Sequence, residues 1–143
     1  MSVNDTQTYF EQKLRHETDA SDAYAAQQAG DRFVLVDVRS IDAWNQGHAR
    51  GALHMPYRDI AARAASEIPS DTPVVVYCWS PGCNAGAKGA VEFAKLGYEV
   101  REMIGGYEYW AREGYPVDGV DGPLPRTFDP LVMVVRPRSV DAS

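Results

Sequence analysis

The sequence predicts an α/β fold in which helices cover both faces of a parallel β-sheet. Two compact apolar runs, "RFVLVDVRS" and "TPVVVYC", are typical of strands that are buried on both faces. Segments of about ten residues with helical periodicity lie between such strands. Because strands that alternate with helices pair in parallel through right-handed crossovers, we expect a three-layer α/β/α sandwich.

Size, composition and charge narrow the class of protein. The chain has 143 residues, of which 45% are hydrophobic and 24% are charged, as expected for one globular domain. No apolar run approaches the roughly 20 residues of a membrane helix, and the polar N-terminus does not resemble a secretory signal. The net charge of -6 at pH 7 argues against nucleic acid or an acidic membrane surface as a partner. We therefore expect a cytoplasmic location.

The N-terminal half predicts three helices and two strands. A first helix runs from Asp5 to about Leu14, and an alanine-rich second helix ends at Gly30. The first buried strand ends at Asp37. An irregular segment and a brief strand around Leu53 follow, and then a helix that stops before Pro69.

The C-terminal half continues the alternation. The strand "TPVVVYC" leads directly to Cys78, and the segment after it predicts a helix that ends at Gly97. The strand "EVREMI" and a short aromatic helix complete the pattern. The last segment contains one apolar run, Leu131 to Val135, and we interpret it as an arm that docks as an edge strand or binds a neighbouring chain.

Both cysteines of the chain, Cys78 and Cys83, lie on one loop, where they could form a disulfide, hold a metal or act as reactive thiols. The reducing cytoplasm argues against a structural disulfide. Two cysteines are too few for an all-cysteine zinc site, and the three histidines lack ligand spacing to them. We predict no metal and no cofactor.

The residues after Cys78 favour a reactive thiol. Ser80, Pro81, Gly82 and Asn84 tolerate tight turning, so N–H groups of the loop and of the next helix can face one anion-sized space. A thiolate in that space would have a pKa below its free value of about 8.5. Cys78 is then a nucleophile that needs no general base. The alternative is a small buried residue that ends a core strand.

Three ordered motifs resemble the signatures of rhodanese-like sulfurtransferases. They are "VLVDVRSIDAWNQGHARGALHMP" from Val34 to Pro56, "VVVYC" with its turning loop, and "LGYEVREMIGGYEYWAREGYPV" from Leu96 to Val117. The resemblance implies a central five-stranded parallel sheet whose first edge strand lies near Arg15 to Thr18. We assign residues 1–117 to the rhodanese-like domain, and residues 118–143 to a C-terminal arm that is a docked edge segment or a flexible tail.

The resemblance also implies an activity and a site. Cys78 is expected to take the outer sulfur of thiosulfate or a persulfide donor, and the resulting persulfide passes it to a thiol or to cyanide. A sulfur-accepting protein and a homodimer are left open as partners. The expected substrate-binding residues form the loop: Trp79, Ser80, Pro81, Gly82, Cys83, Asn84 and Ala85.

The loop departs from the family pattern in its charge and length. Trp79 follows the cysteine where common members have an arginine, the loop is longer, and Lys88 is the nearest positive charge in the sequence. One alternative is a persulfide carrier or protein-interaction module with weak thiosulfate activity. A phosphatase or arsenate reductase of related fold is less well supported, because Asn84 stands where the C-x5-R motif has its arginine.

Other residues are given supporting roles. Cys83 is close enough to Cys78 for a disulfide if their Cα atoms approach within about 7 Å, and we predict that it modulates the reaction rather than catalyses it. The alternative is a small side chain that faces the helix. Asp37 and Arg39 are predicted to connect neighbouring loops. Gly86 and Gly89 predict close approach of their helix to the sheet.

Overall fold

The computed structural model describes residues 2–135. The helices are α1 (Val3–His16), α2 (Ala20–Ala29), α3 (Ile41–Gln46), α4 (Ile60–Glu67), α5 (Ala85–Lys95) and α6 (Gly106–Arg112). The strands are β1 (Glu17–Thr18), β2 (Val34–Asp37), β3 (His48–Ala49), β4 (Leu53–His54), β5 (Val74–Tyr77), β6 (Val100–Met103), β7 (Val117–Gly119) and β8 (Gly122–Pro123). A short 3-10 helix, Tyr57–Asp59, precedes α4.

The central sheet has five parallel strands in the order β1, β6, β5, β2, β4. The two central strands pair in register from Val34 opposite Val74 to Asp37 opposite Tyr77. Their carboxyl ends therefore lie side by side. The predicted α/β fold with a five-stranded parallel sheet is confirmed.

The two faces of the sheet carry separate hydrophobic clusters, which makes the fold a three-layer sandwich. Val36 belongs to one cluster with Ile60 of α4 and Phe93 of α5, whereas Leu35 belongs to a second cluster with Trp110 of α6. Neighbouring residues of a strand point to opposite faces, which explains the division. Because both faces of the sheet are covered, the sequences of its central strands are continuous apolar runs.

Local capping explains two differences from the sequence prediction. Helix α1 begins two residues before the predicted Asp5, because Ser2 and Asp5 form a capping box. The segment predicted to be irregular contains α3, which Ser40 caps by accepting a hydrogen bond from the Ala43 N–H.

The C-terminal segment forms a second, smaller sheet. Strands β3, β7 and β8 are antiparallel, so the chain around residue 120 pairs with the segment that follows α3. The run Leu131 to Val135 forms no strand, and Leu131 is 86% exposed. The division at Val117 stays a prediction, and the end of the predicted arm, residues 136–143, lies outside the described residues.

None of the helices within residues 2–135 is long and apolar enough to cross a lipid bilayer.

Candidate active site

The cysteine loop lies at the carboxyl edge of the sheet, where open α/β folds bind their ligands. Strand β5 ends at Tyr77, Cys78 follows directly, and α5 starts at Ala85. The Cys83 N–H donates to the Ser80 carbonyl oxygen with an N–O distance of 3.0 Å, so the loop makes a tight turn. This turn brings the two cysteines to the same side.

The structure joins Cys78 and Cys83 in a disulfide, with a Cα–Cα distance of 6.2 Å. The sequence argues against a structural disulfide but allows one if the two Cα atoms approach within about 7 Å, and the structure meets that condition. The physical reason is the turn, because it brings the two Cα atoms within the range of about 4.4 to 6.8 Å that a disulfide requires. In this oxidised state the Cys78 sulfur is not a thiolate, and the residue is only 5% exposed.

A pocket of about 220 Å³ opens beside the disulfide. Its loop side is lined by both cysteines, Ser80 and Pro81, and its other side by residues 102–106 and by Lys13 of α1. A cavity of this size suits a small anion rather than a large organic ligand. Both cysteines therefore border the same small cavity.

The other loop residues of the predicted site lie outside this pocket. Asn84 precedes α5 without a capping hydrogen bond from its side chain, and Ala85 packs against the core. Gly82 lies in the turn opposite the Ser80 hydroxyl. Trp79 is 39% exposed and points toward Arg39 instead. The structure thus brings together four of the eight predicted site residues around one cavity.

The start of α5 has backbone donors available. Within the described part of the chain, the N–H groups of Asn84, Ala85 and Gly86 have no hydrogen-bond acceptor. Unpaired N–H groups at a helix start attract anions. Anion binding at the loop stays a prediction, for which these N–H groups are the backbone donors that the structure offers.

The Gly105–Gly106 segment and the residues after it contact the backbone of the cysteine loop. The N–H groups of Tyr107 and Glu108 donate to the carbonyl oxygens of Cys78 and Trp79, each over 2.8 Å. A Cβ atom on Gly106 would lie 2.5 Å from the Cys78 carbonyl oxygen, and the residue has a φ of +63°. Glycine is therefore required where α6 contacts the cysteine loop.

Asp37 and Arg39 form a buried ion pair beside the loop. The Arg39 Nη2–Asp37 Oδ2 distance is 2.7 Å, and the side chains are 1% and 0% exposed. Tyr77 donates its hydroxyl to Asp37 and accepts from the Ala49 N–H, while Arg39 also donates to the Gly47 carbonyl oxygen. Burial and the charge of Asp37 raise the pKa of Tyr77 well above its usual value. The pair connects neighbouring loops, as predicted.

Arg39 also lies between two aromatic rings. Its guanidinium carbon lies 4.4 Å from the Trp79 ring centroid and 4.5 Å from that of Tyr107. Cation–π attraction of this kind contributes about 0.5 to 2 kcal/mol. The Nη1 atom of Arg39 is buried and has no hydrogen-bond partner among the described residues. The stacking of Trp79 on Arg39 fixes the first residue of the loop after Cys78.

The charges at the pocket come from residues that sequence reasoning did not identify. Lys13 lines the pocket and forms an ion pair with Glu17 at 2.6 Å, and Glu102 lines the same cavity. Partial burial and then the charge of Glu17 raise the pKa of Glu102. Lys88, the nearest cation in the sequence, instead lies 5.7 Å from the Tyr57 ring centroid.

Gly86 and Gly89 confirm the predicted close approach of α5. A Cβ atom on Gly86 would lie 2.7 Å from the Glu102 Oε2 atom, and one on Gly89 would lie 2.9 Å from the Val38 Cγ1 atom. Glu102 is therefore placed against the first turn of α5 as well as against the pocket.

A family model described as a rhodanese-like domain matches residues 19–113. The chain belongs to the rhodanese-like domain family. The match covers the strand before Arg39, the whole cysteine loop and the Gly105–Gly106 segment. It therefore includes each element that surrounds the pocket except α1.

Two relatives of known sequence differ in their names and in how much of their length this chain covers. Thiosulfate sulfurtransferase 16, chloroplastic, of Arabidopsis thaliana is 33% identical over an alignment of 101 residues, which covers 62% of this chain and 80% of that protein. The HTH-type transcriptional regulator Rv0324 of Mycobacterium tuberculosis is 37% identical over 92 residues, 64% of this chain. The chain spans only 39% of that regulator's length.

Solved structures confirm the fold. The crystal structure of the BH2092 protein from Bacillus halodurans has a TM-score of 0.79 and 34% identity, and the match covers 85% of this chain and 89% of that one. The NMR structure of the rhodanese-like domain of the Anabaena Alr3790 protein has a TM-score of 0.67 and 27% identity, covering 86% and 94% of the two chains.

Proposed function

We propose that this rhodanese-like protein is a sulfurtransferase that moves sulfane sulfur from thiosulfate or a persulfide donor to a thiophilic acceptor through Cys78. The observation that carries the proposal is the position of Cys78, directly after the central strand β5 and on the wall of a small pocket. The family supports a sulfurtransferase-type enzyme, and the name of the Arabidopsis relative supports thiosulfate as the donor.

The reaction starts from the reduced loop. A thiol opens the Cys78–Cys83 disulfide, and the Cys78 thiolate attacks the outer sulfur of thiosulfate. The bond between the two thiosulfate sulfurs breaks, sulfite leaves with the electron pair, and Cys78 carries a persulfide. An acceptor thiolate or cyanide then attacks the outer sulfur and returns the Cys78 thiolate. The compartment that suits this cycle is the cytoplasm, where thiols keep the loop reduced.

The loop supplies the binding groups in this proposal. Asn84, Ala85 and Gly86 do not line the pocket, but their unpaired N–H groups lie at the start of the helix that follows the loop, where they favour the negative charge of both half-reactions. The chain has no loop arginine, and Lys13 of α1 supplies the cation at the pocket instead. Because Lys13 is shared with Glu17, its attraction for a divalent anion is weaker than that of a free arginine.

The test is to load the reduced protein with thiosulfate and measure its intact mass. Since the chain has two cysteines, Cys83→Ser leaves Cys78 as the only thiol. We expect sulfite release and a gain of about 32 Da, one sulfur atom, in Cys83→Ser. Cys78→Ser should give neither. Absence of both sulfite and the added mass in Cys83→Ser would contradict the proposal.

A second candidate is a persulfide carrier that delivers sulfur to a protein. Trp79 favours it, because a tryptophan that is 39% exposed beside the reactive loop is a typical anchor for a partner. The carrier would accept sulfur from thiosulfate but transfer it poorly to cyanide. Addition of cyanide to the loaded Cys83→Ser variant separates the two: rapid thiocyanate formation supports the enzyme, and retention of the added mass supports the carrier.

A further inference from the structure

We propose that Cys83 is a resolving cysteine that releases hydrogen sulfide from the Cys78 persulfide, so that the protein couples thiosulfate to sulfide production at the expense of a dithiol reductant. The inference rests on the proposed function, because it requires that Cys78 first takes a sulfur atom. It adds a second catalytic thiol and names the product that leaves the site.

The geometry that supports this step is the bond between the two sulfurs. Cys78 and Cys83 are five residues apart on one loop, and their Cα atoms are 6.2 Å apart. The Cys83 sulfur therefore reaches the Cys78 sulfur while β5 and α5 stay in place. Both residues also line the same pocket of about 220 Å³, in which the outer sulfur of a persulfide would lie.

The chemistry follows from which sulfur Cys83 attacks. A persulfide on Cys78 has an inner sulfur bonded to carbon and an outer sulfur. When the Cys83 thiolate attacks the inner sulfur, the Cys83–Cys78 sulfur bond forms and the inner–outer sulfur bond breaks. The persulfide anion first takes up a proton from water, so the outer sulfur leaves with the electron pair as hydrosulfide. The protein product of this attack is the disulfide that the structure contains.

Burial favours the internal thiol over an external one at the inner sulfur. Cys78 is 5% exposed, so a solvent thiol has little access to its side chain, whereas Cys83 is on the same loop. Placing both reactants on one short loop also makes the step intramolecular, which raises its effective rate. External acceptors can still compete for the outer sulfur in the pocket.

A dithiol reductant, either a small molecule or a protein dithiol, closes the cycle. It reduces the Cys78–Cys83 disulfide by thiol–disulfide exchange and becomes a disulfide itself. The net reaction converts thiosulfate and a dithiol into sulfite, hydrogen sulfide and a disulfide. The two electrons come from the dithiol, and its two protons leave with the sulfide.

The experiment is a single turnover without added reductant. The wild-type protein is reduced, freed of reductant under anaerobic conditions and mixed with one equivalent of thiosulfate. Sulfite, sulfide and intact mass are then measured over time. We expect one sulfite and one sulfide per chain, and a final mass equal to that of the disulfide form.

Cys83→Ser and Cys83→Ala are matched variants that remove the resolving thiol with different replacements. Both should release sulfite, retain the added sulfur of about 32 Da, and release sulfide at least about 100-fold more slowly than the wild type. Thermal unfolding of the variants checks that they are folded.

The two possible failures are distinguishable. Wild-type protein that releases sulfite but keeps the added sulfur overturns the resolving role and leaves the sulfurtransferase intact. Equal sulfide release from the wild type and both Cys83 variants overturns it as well. If neither the wild type nor the Cys83 variants release sulfite, the proposed function itself fails.

Discussion

The two central strands β2 and β5 end side by side, but the residues at their ends form different kinds of bond. At the end of β2, Asp37 and Arg39 form a buried ion pair whose hydrogen bonds extend to Tyr77 and Gly47. After β5, Cys78 is bonded to Cys83, and that bond can be exchanged by thiols. The first region is a fixed framework, and the second can change its covalent state.

The ion pair of Asp37 and Arg39 also constrains the cysteine loop. Trp79, the residue after Cys78, stacks on Arg39, and the Arg39 guanidinium is oriented by Asp37. The ion pair therefore constrains the residue that directly follows Cys78. Because Arg39 is paired with Asp37 and does not line the pocket, we expect its charge to position the loop rather than to bind substrate.

The largest expected effect comes from breaking the framework with Asp37→Asn. Arg39 would remain buried with an uncompensated charge, which costs about 3 to 5 kcal/mol of the free energy of unfolding. Urea unfolding measures this loss. The matched control is Asp71→Asn, which removes an ion pair with Arg32 whose side chains are 74% and 62% exposed and should change stability by less than about 1 kcal/mol. Similar losses in the two variants would refute the distinction.

The contact between α6 and the loop is tested by Gly106→Ala. The new Cβ would clash with the Cys78 carbonyl oxygen and displace the loop, so sulfur loading should slow at least about tenfold, the scale of 1.4 kcal/mol. Gly97→Ala is the control, because Gly97 has a φ of +89° but a Cβ added there would meet no neighbouring atom within 4 Å. Both variants carry the left-handed strain of roughly 1 to 2 kcal/mol. Equal loading rates would show that the contact does not position the loop.

Tyr77→Phe weakens the framework while leaving the ion pair in place. It removes the hydroxyl that donates to Asp37 over 2.7 Å and accepts from the Ala49 N–H over 3.0 Å. The unpaired Ala49 N–H should cost about 1 to 3 kcal/mol in urea unfolding. Sulfur loading at about 25 °C should stay within about twofold of the wild type, since a change under about 0.4 kcal/mol at the loop is expected. A complete loss of loading in a folded variant would assign Tyr77 to the site.

The smallest expected effect concerns charge at the pocket and is tested by Glu102→Gln. Burial and Glu17 raise the pKa of Glu102, so the carboxyl is neutral at low pH and becomes negative as the pH rises through that pKa. The negative charge opposes thiosulfate, and the KM for thiosulfate of the wild type should rise over this pH range. The same raised pKa means that stability from the neutral carboxyl is present below its usual pKa and lost as the pH rises.

Glu102→Gln should remove that rise in KM and lower KM at neutral pH. Glu99→Gln changes a glutamate near the start of β6 that does not line the pocket, and it serves as the control. A KM that keeps the pH dependence of the wild type in Glu102→Gln would exclude an effect of this carboxyl on donor binding.

Most helices and strands of the fold could be predicted from the sequence because their signals are local. Apolar runs mark β2 and β5, and Gly30 and Gly97 mark helix ends that the structure shows with positive φ. The number of strands, however, is implied by the resemblance of the three motifs to rhodanese-like sulfurtransferases. By contrast, α3 depends on the Ser40 cap within a glycine-interrupted segment, and β7 and β8 depend on pairing with a distant strand.

The site could be predicted only in part for the same reason. Cys78 and its loop are contiguous, so their proximity follows from the sequence. Lys13 reaches the pocket because α1 packs beside β6, and no periodicity in α1 indicates that contact. Glu102 could have been proposed from its place near the carboxyl end of a parallel strand. The cytoplasm expected from the sequence argues against a disulfide, but the turn of the loop brings the two cysteines close enough to form one.

The most direct test is to locate the transferred sulfur. Reduced Cys83→Ser protein is treated with thiosulfate, digested under non-reducing conditions and analysed by tandem mass spectrometry. We predict one additional sulfur on the peptide that contains residue 78, and its loss on addition of cyanide or a thiol. Sulfite release without sulfur on Cys78, or no reaction at all in the folded variant, would contradict a sulfurtransferase that works through this cysteine.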